Sequence, residues 1–501
     1  MYERAKLWFW GQLKISIESI LSIPSILSAR LPPEAGHFED SIISNPYVSP
    51  KLQYLDKIRA SLPWTVFWAL AAQGILSITR FFSKMVVGGR FGSGESGYGS
   101  EADLAYYDAA FGIMMLVLAL HEAFVTTPLT FFNHREKKTV EQKFAGKMLC
   151  LSLMFAIAAL VVTGIVTWYQ YAFIEIGQGF LWAMIVLTVL MPFQAIKEFS
   201  KRWLLANLRV RESAMLELGF AASFLLLIGG LIYFAQVNAA TVFGITVAAN
   251  FICLIGWWIF FKKAFTLEVV GVRQQAIDNF SYGKWIAGEN ICSVAMMFFS
   301  QWFLISNVGE RDAGVYSACL TIVFLANPFL LGVSSVFAPS MAREFNDRGW
   351  KGMFSILLTY SAFVSLVLIA FSASLFFVGE WLTTFSFGEK YSDYFAATSG
   401  GGNSVTFLLS LAVPCFGLSF LLTCCILAAD RPIYCFYAAA FGLVATISMN
   451  FSFAQPTLHT AALSFVVGAF STMVFRALVV LKMHRDYRES VRLDFPEVVS
   501  S

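Results

Sequence analysis

Along this chain the polar positions are gathered into short connections, and between them lie apolar blocks of about twenty residues, the length a helix needs to cross about 30 Å of hydrocarbon at about 1.5 Å per residue. The pattern predicts spans near 62–87, 106–132, 148–169, 178–198, 213–235 and 239–261. Six more are predicted near 285–307, 313–338, 353–378, 404–429, 432–453 and 457–482. The expected fold is therefore an all-α polytopic membrane protein with about twelve transmembrane helices.

The connections orient these spans, because short cytoplasmic loops retain Lys and Arg. Connections after even-numbered spans carry Arg135, Lys137, Lys138, Lys143 and Lys147, then Lys197, Lys201, Arg202, Arg209 and Arg211, then Lys262, Lys263, Arg273 and Lys284, then Arg343, Arg348, Lys351 and Arg431. Those after odd-numbered spans hold only Arg90, Arg311 and Lys390. Both termini are predicted to be cytoplasmic.

An internal repeat emerges from the same map. A G-x-x-x-x-G turn follows the first span (Gly92 to Gly97) and the seventh (Gly309 to Gly314), 217 positions apart. Leu204-Leu205-Ala206-Asn207-Leu208-Arg209 is echoed by Ile426-Leu427-Ala428-Ala429-Asp430-Arg431, 222 positions on, and Pro128 by Pro339, 211 positions on. Six spans return a chain to its starting side, so the reading is two pseudo-symmetric six-helix bundles in the same orientation, with a substrate path at their interface. The expected divisions are an N-terminal cytoplasmic or interfacial extension (1–61), a first bundle (62–261), a cytoplasmic linker (262–284), a second bundle (285–482) and a cytoplasmic tail (483–501).

Composition sharpens this picture. With 58% hydrophobic and 13% charged residues, lipid must be the solvent for most of the chain, and a net charge of +3 is too small to point to nucleic acid. The eight cysteines lie inside apolar runs rather than at disulfide or zinc spacings, so they read as packing residues, and neither metal nor cofactor is expected. The first thirty residues mix Trp8, Phe9 and Trp10 with Lys6 and Lys14 and lack a secretory cleavage pattern. A helix lying among the lipid headgroups and a disordered tail both remain open for them.

Candidate chemistry sits on the first span. Gln73, Ser77, Arg80 and Lys84 fall at i, i+4, i+7 and i+11 and share one helix face, which cannot point at lipid. At an offset of 216 the seventh span offers Glu289, Ser293, Met296 and Ser300, so both halves are expected to line something polar, with Glu289, Ser293 and Gln301 as further substrate-binding candidates. His121 and Glu122 fall near mid-membrane in the second span and are candidates for ion coupling. Glu217, Glu289 and Arg476 lie near helix ends, where snorkelling to the headgroups is the competing reading. Pro192, Pro328 and Pro414 interrupt spans four, eight and ten and are candidate hinges, while Gly400, Gly401 and Gly402 suggest a flexible connector.

Several stretches carry a family resemblance. FLISNVGERDAGVYSA (Phe303 to Ala318), APSMAR (Ala338 to Arg343), KMVVGGRFG (Lys84 to Gly92) and ILAADRP (Ile426 to Pro432) together resemble the multidrug, oligosaccharidyl-lipid and polysaccharide exporter superfamily, and within it the polysaccharide transport branch. The resemblance covers about residues 60–485, and the long N-terminal extension departs from it. It implies two bundles in a V around a cavity that faces inward and outward in turn. It also implies a non-enzymatic flippase for an undecaprenyl-diphosphate-linked oligosaccharide in a bacterial inner membrane. Membrane lipids, a coupling H+ or Na+, and glycan polymerases and glycosyltransferases are its implied partners. Cationic cavity residues would hold the diphosphate, and Arg80 fits that role best. Met296 stands at the matched position in the seventh span, so any clamp would be asymmetric. Two alternatives stay open: a cation-coupled multidrug exporter of the same superfamily, which would want cavity acids, and a membrane glycosyltransferase or polymerase, for which Glu101, Asp103 and Asp108 are the foothold.

Overall fold

The computed structural model describes residues 68, 71, 73–89, 100–132, 138–173, 177–207, 209–234, 237–266, 270–397, 401–429, 431–453 and 455–494. The expected extension 1–61, the Gly92–Gly97 turn and the end of the tail lie outside the described residues. Among the described residues every regular element is a helix.

Residues 73–87 form the described part of the first span. The second runs Glu101–His121, passes through a π-helical turn, Glu122–Thr126, and ends with Thr127–Phe132. Its start is capped by Ser100, whose hydroxyl accepts from the Asp103 amide at 3.0 Å, so one orphan donor of the first turn is satisfied. Lys138–Phe173, Gln178–Ala206, Val210–Phe234 and Ala239–Phe261 complete the first half. Asn238 and Thr241 form a capping box at the last of these.

In the second half, Val272–Asn307 is the seventh span, and Gly309 makes the turn into the eighth at a φ of 142° that favours glycine. The eighth begins as Glu310–Val323, tightens into a 3₁₀ turn at Phe324–Ala326, and continues into the helix Asn327–Phe387, which also forms the ninth span. That helix breaks only at Gly349 (φ 60°, ψ −150°). Residues 339–352, expected as a connecting loop, thus extend the two helices. A short helix, Lys390–Ala397, precedes the tenth span, which is split into Gly401–Ser410 and Ala412–Ala428. Gly401 and Gly402 therefore open a helix rather than a flexible connector. Ile433–Ser452 and Leu458–Asp494 are the eleventh and twelfth.

Ten of the described helices are long and apolar enough to cross a membrane. The seventh span carries Asn279, Glu289, Asn290 and Gln301 and is too polar to qualify alone, and the first is cut short by the described limits. Both belong to the twelve-helix plan: the polar groups of the seventh are met by neighbouring helices, and those of the first face the space between the halves. Large apolar side chains such as Ile157, Leu226, Phe260, Leu366 and Phe377 point out of the bundles, as a lipid-facing surface requires.

Packing repeats between the halves. The third span meets the fourth as the ninth meets the tenth, the fourth meets the sixth as the tenth meets the twelfth, and the fifth meets the sixth as the eleventh meets the twelfth. The result is two pseudo-symmetric six-helix bundles. They join along the second span, which packs against the seventh and eighth. Gln301 donates to the Ala105 carbonyl at 3.2 Å and Trp302 Nε1 to the Ala109 carbonyl at 3.2 Å. Within the π turn, the Phe124 carbonyl accepts from Asn279 at 2.8 Å.

Candidate functional site

The polar face of the first span is held in place from behind. Thr79 and Ser83, on its opposite side, are buried and return their hydroxyls to the carbonyls of Ile75 (2.8 Å) and Thr79 (2.7 Å). Both hydroxyls are thereby satisfied within the helix. Gln73, Ser77, Arg80 and Lys84 consequently open together into a cavity of about 390 Å³ between the first, second, seventh and eighth spans. The facing wall is supplied by Met297, Phe298, Leu320, Phe324, Leu325 and Pro328 and is largely apolar, with Thr321 and Asn327 of the eighth span as its polar residues.

Arg80 is exposed to this cavity. Its guanidinium lies 5.8 Å from the centre of the Phe111 ring and has no ion-pair partner among the described residues. Behind it a water-sized chamber of about 40 Å³, lined by Tyr107, Gln194 and Lys197, runs into the first bundle. Lys84, one turn away, differs: its ammonium donates to Asp108 Oδ2 at 2.7 Å. Asp108 is fully buried and also accepts from the Ser317 hydroxyl of the eighth span.

The matched positions of the seventh span do not mirror this arrangement. Met296 is buried between Gly442 and Gly468 of the eleventh and twelfth spans, and Ser300 is buried and accepts from Asn450 at 3.2 Å. Glu289 accepts from Arg476 at 2.6 Å, and Arg476 also donates to Ser419 Oγ at 2.8 Å. The seventh span thus does not repeat the polar face of the first, and the polar residues that the second half brings to the cavity are Thr321 and Asn327 of the eighth span. Neither Glu289, Ser293 nor Gln301 lines the cavity, and Gln301 is a buried strut between the halves.

Snorkelling is likewise corrected for Glu289, Arg476 and Glu217, all of which are ion-paired inside the bundles. Glu217 sits 3.2 Å from Lys197 and 3.3 Å from Lys201, and Lys201 is 2.6 Å from Glu198. His121 is buried, with Nε2 2.9 Å from the Ser152 hydroxyl. Glu122 opens the π turn, is partly exposed, and accepts from Arg202 at 2.5 Å.

The three prolines behave differently. At Pro192 the helix is continuous. Pro328 cannot donate to Phe324, whose carbonyl instead accepts from the Asn327 amide in the 3₁₀ turn. Pro414 frees the Ser410 carbonyl, which accepts from the Ser372 hydroxyl of the ninth span at 2.9 Å. Residue spacing could not reveal Asp108 or Arg202 as partners, since they lie 24 and 80 positions from Lys84 and Glu122. All eight cysteines are free, and no group of potential metal ligands occurs among the described residues.

By sequence, no family and no curated protein matches the chain. By structure, it is similar to an inward-facing multidrug resistance MATE family transporter of the MOP superfamily (TM-score 0.68, 13% identity, 84% of this chain and 99% of that one). It is also similar to an outward-facing transporter of the same description (TM-score 0.62, 14% identity, 84% and 94%). A third neighbour is a MOP superfamily transporter from Pyrococcus furiosus, whose binding pocket is described as having reversed polarity that suggests a different function (TM-score 0.62, 13% identity, 84% and 94%). At such identities the likeness is one of fold, and the fold of this chain is that of the MATE transporters of the MOP superfamily.

Proposed function

We propose that the protein is an alternating-access transporter that flips an undecaprenyl-diphosphate-linked oligosaccharide across a bacterial inner membrane, with Arg80 holding the diphosphate. The observation that carries this reading is the exposed Arg80 guanidinium facing a cavity in which no described carboxylate pairs with it. An arginine inside the membrane costs about 2.5–3.5 kcal/mol on insertion scales unless an anion compensates it. Its planar fork matches phosphate oxygens bidentately, which an ammonium does not. Gln73 and Ser77, on the same face, offer hydrogen bonds to the sugar, and the apolar wall of the second half suits the start of the prenyl chain. Glu122 is the candidate for coupling to H+ or Na+, and Pro328 and Pro414 are the candidate hinges. Both termini in the cytoplasm, bundle limits near 62–261 and 285–482, and glycosyltransferases and a polymerase as partners belong to the same proposal.

A second reading is a cation-coupled multidrug exporter, favoured by the apolar wall and by the multidrug transporters that share the fold. A lipophilic cation would have to bind beside an uncompensated arginine in a cavity lined by no described carboxylate, while Asp108 and Glu122 of the second span already pair with Lys84 and Arg202. Reconstituted vesicles separate the two readings. Translocation of a fluorescent undecaprenyl-diphosphate oligosaccharide is expected for the wild type, to be lost in Arg80→Ala and partly retained in Arg80→Lys. Efflux of tetraphenylphosphonium with no lipid translocation would replace this reading with the second.

A further inference from the structure

Holding a substrate does not account for the three-way contact at Asp108. This carboxylate is fully buried where the halves meet, between Lys84 of the first span and Ser317 of the eighth. Its Oδ1 has no hydrogen-bond partner among the described residues. Among the described residues Lys84 alone pairs with it, and a buried charge deprived of its partner is strongly unfavourable. The seam around it is tight: a Cβ on Gly314, one turn before Ser317, would lie 1.9 Å from the Glu101 carbonyl oxygen of the second span. Separation of the second and eighth spans would admit water to Asp108 from the Glu101 end.

Lys84 also lines the cavity, one turn from Arg80, on a stem flexible enough to turn from one anion to another. We propose that Lys84 is a positioning residue shared between Asp108 and the anionic group of the substrate. An anion seated at Arg80 draws Lys84 away, strands the Asp108 charge, and opens the seam at the Glu101 end. A ligand shifts a conformational equilibrium only through a difference in its interactions with the two states. The difference lies in Lys84, which the closed state must share and the open state, with Asp108 hydrated, releases to the ligand. A bound cation would leave Lys84 on Asp108 and the seam shut. The inference rests on the reading of the cavity as an anion site.

The test uses the full chain in lipid nanodiscs with undecaprenyl diphosphate as the probe. Noncanonical amino acids at the exposed positions Tyr171 and Trp381, at the ends of the third and ninth spans, carry donor and acceptor dyes and leave the native cysteines in place. In the wild type the probe is expected to lower transfer efficiency as the ends separate. Asp108→Asn is expected to bind the probe about fivefold more tightly, the effect of one released charge contact, with no separation. Ser317→Ala, which removes the bond across the seam and keeps the ion pair, is expected to separate without probe. Wild-type binding without separation, or a wild-type response in Asp108→Asn, overturns the switch and leaves the anion site standing. Absence of binding in the wild type removes the anion site and the switch with it. If Asp108→Asn fails to fold, Ser317→Ala decides, and a resting efficiency equal to wild type overturns the switch.

Discussion

The first and seventh spans both line the cavity, yet they turn unmatched faces to it. In the first, the face bearing Gln73, Ser77, Arg80 and Lys84 opens to the space between the halves. In the seventh, the matched face bearing Glu289, Met296 and Ser300 is taken up by Arg476, Gly442, Gly468 and Asn450 of its own bundle. A repeated fold therefore does not carry a repeated site. On these matched faces the second half pairs Glu289 with Arg476, whereas the first leaves Arg80 without an ion pair among the described residues.

Substitutions test that division of labour. Arg476→Ala would leave Glu289 buried and unpaired, so it is expected to destabilise the protein by about 3–5 kcal/mol. Thermal unfolding in detergent measures this, and a wild-type midpoint would show that the second half does not depend on its ion pair. Gly314→Ala drives a methyl group into the Glu101 backbone and is expected to cost about 1–3 kcal/mol and to slow transport. Gly74→Ala, with nothing within 4 Å of the added carbon, is expected to be tolerated at the same cavity. Ser372→Ala orphans the Ser410 carbonyl and is expected to cost about 0.5–1.5 kcal/mol. That cost should fall in a Pro414→Ala background, where the residue-414 amide can take the carbonyl back, and a double-mutant cycle reads the difference. Arg80→Ala is expected to change stability by less than about 0.5 kcal/mol, as for an exposed side chain outside a structural network. A large loss of stability would place Arg80 with Arg476 rather than apart from it.

Local periodicity carried much of this. The i, i+4, i+7, i+11 spacing of Gln73, Ser77, Arg80 and Lys84 put one polar face on one helix, and the structure opens that face to the cavity. Echoes at offsets of 211 to 222 carried the two-bundle plan, because equivalent turns need equivalent residues. What periodicity cannot encode is which helix faces which. Arg476 and Glu289 are 187 positions apart, and only packing of the seventh, tenth and twelfth spans makes them partners rather than residues reaching for the headgroups. Asp108 was visible as an acid near a span end, but its role depends on Lys84 and Ser317 arriving from two other helices. The π turn at Glu122–Thr126 adds a residue to one helical turn and leaves no compositional mark.

Arg80 as the seat of an anionic lipid headgroup is tested most directly by equilibrium binding of undecaprenyl diphosphate and of tetraphenylphosphonium to the protein in nanodiscs. Binding of the diphosphate, weakened roughly ten- to hundredfold by Arg80→Ala as expected for loss of a charge-assisted bidentate contact, with no measurable binding of the cation, is the predicted result. Equal diphosphate affinity in wild type and Arg80→Ala, or tight binding of tetraphenylphosphonium by the wild type, would contradict it.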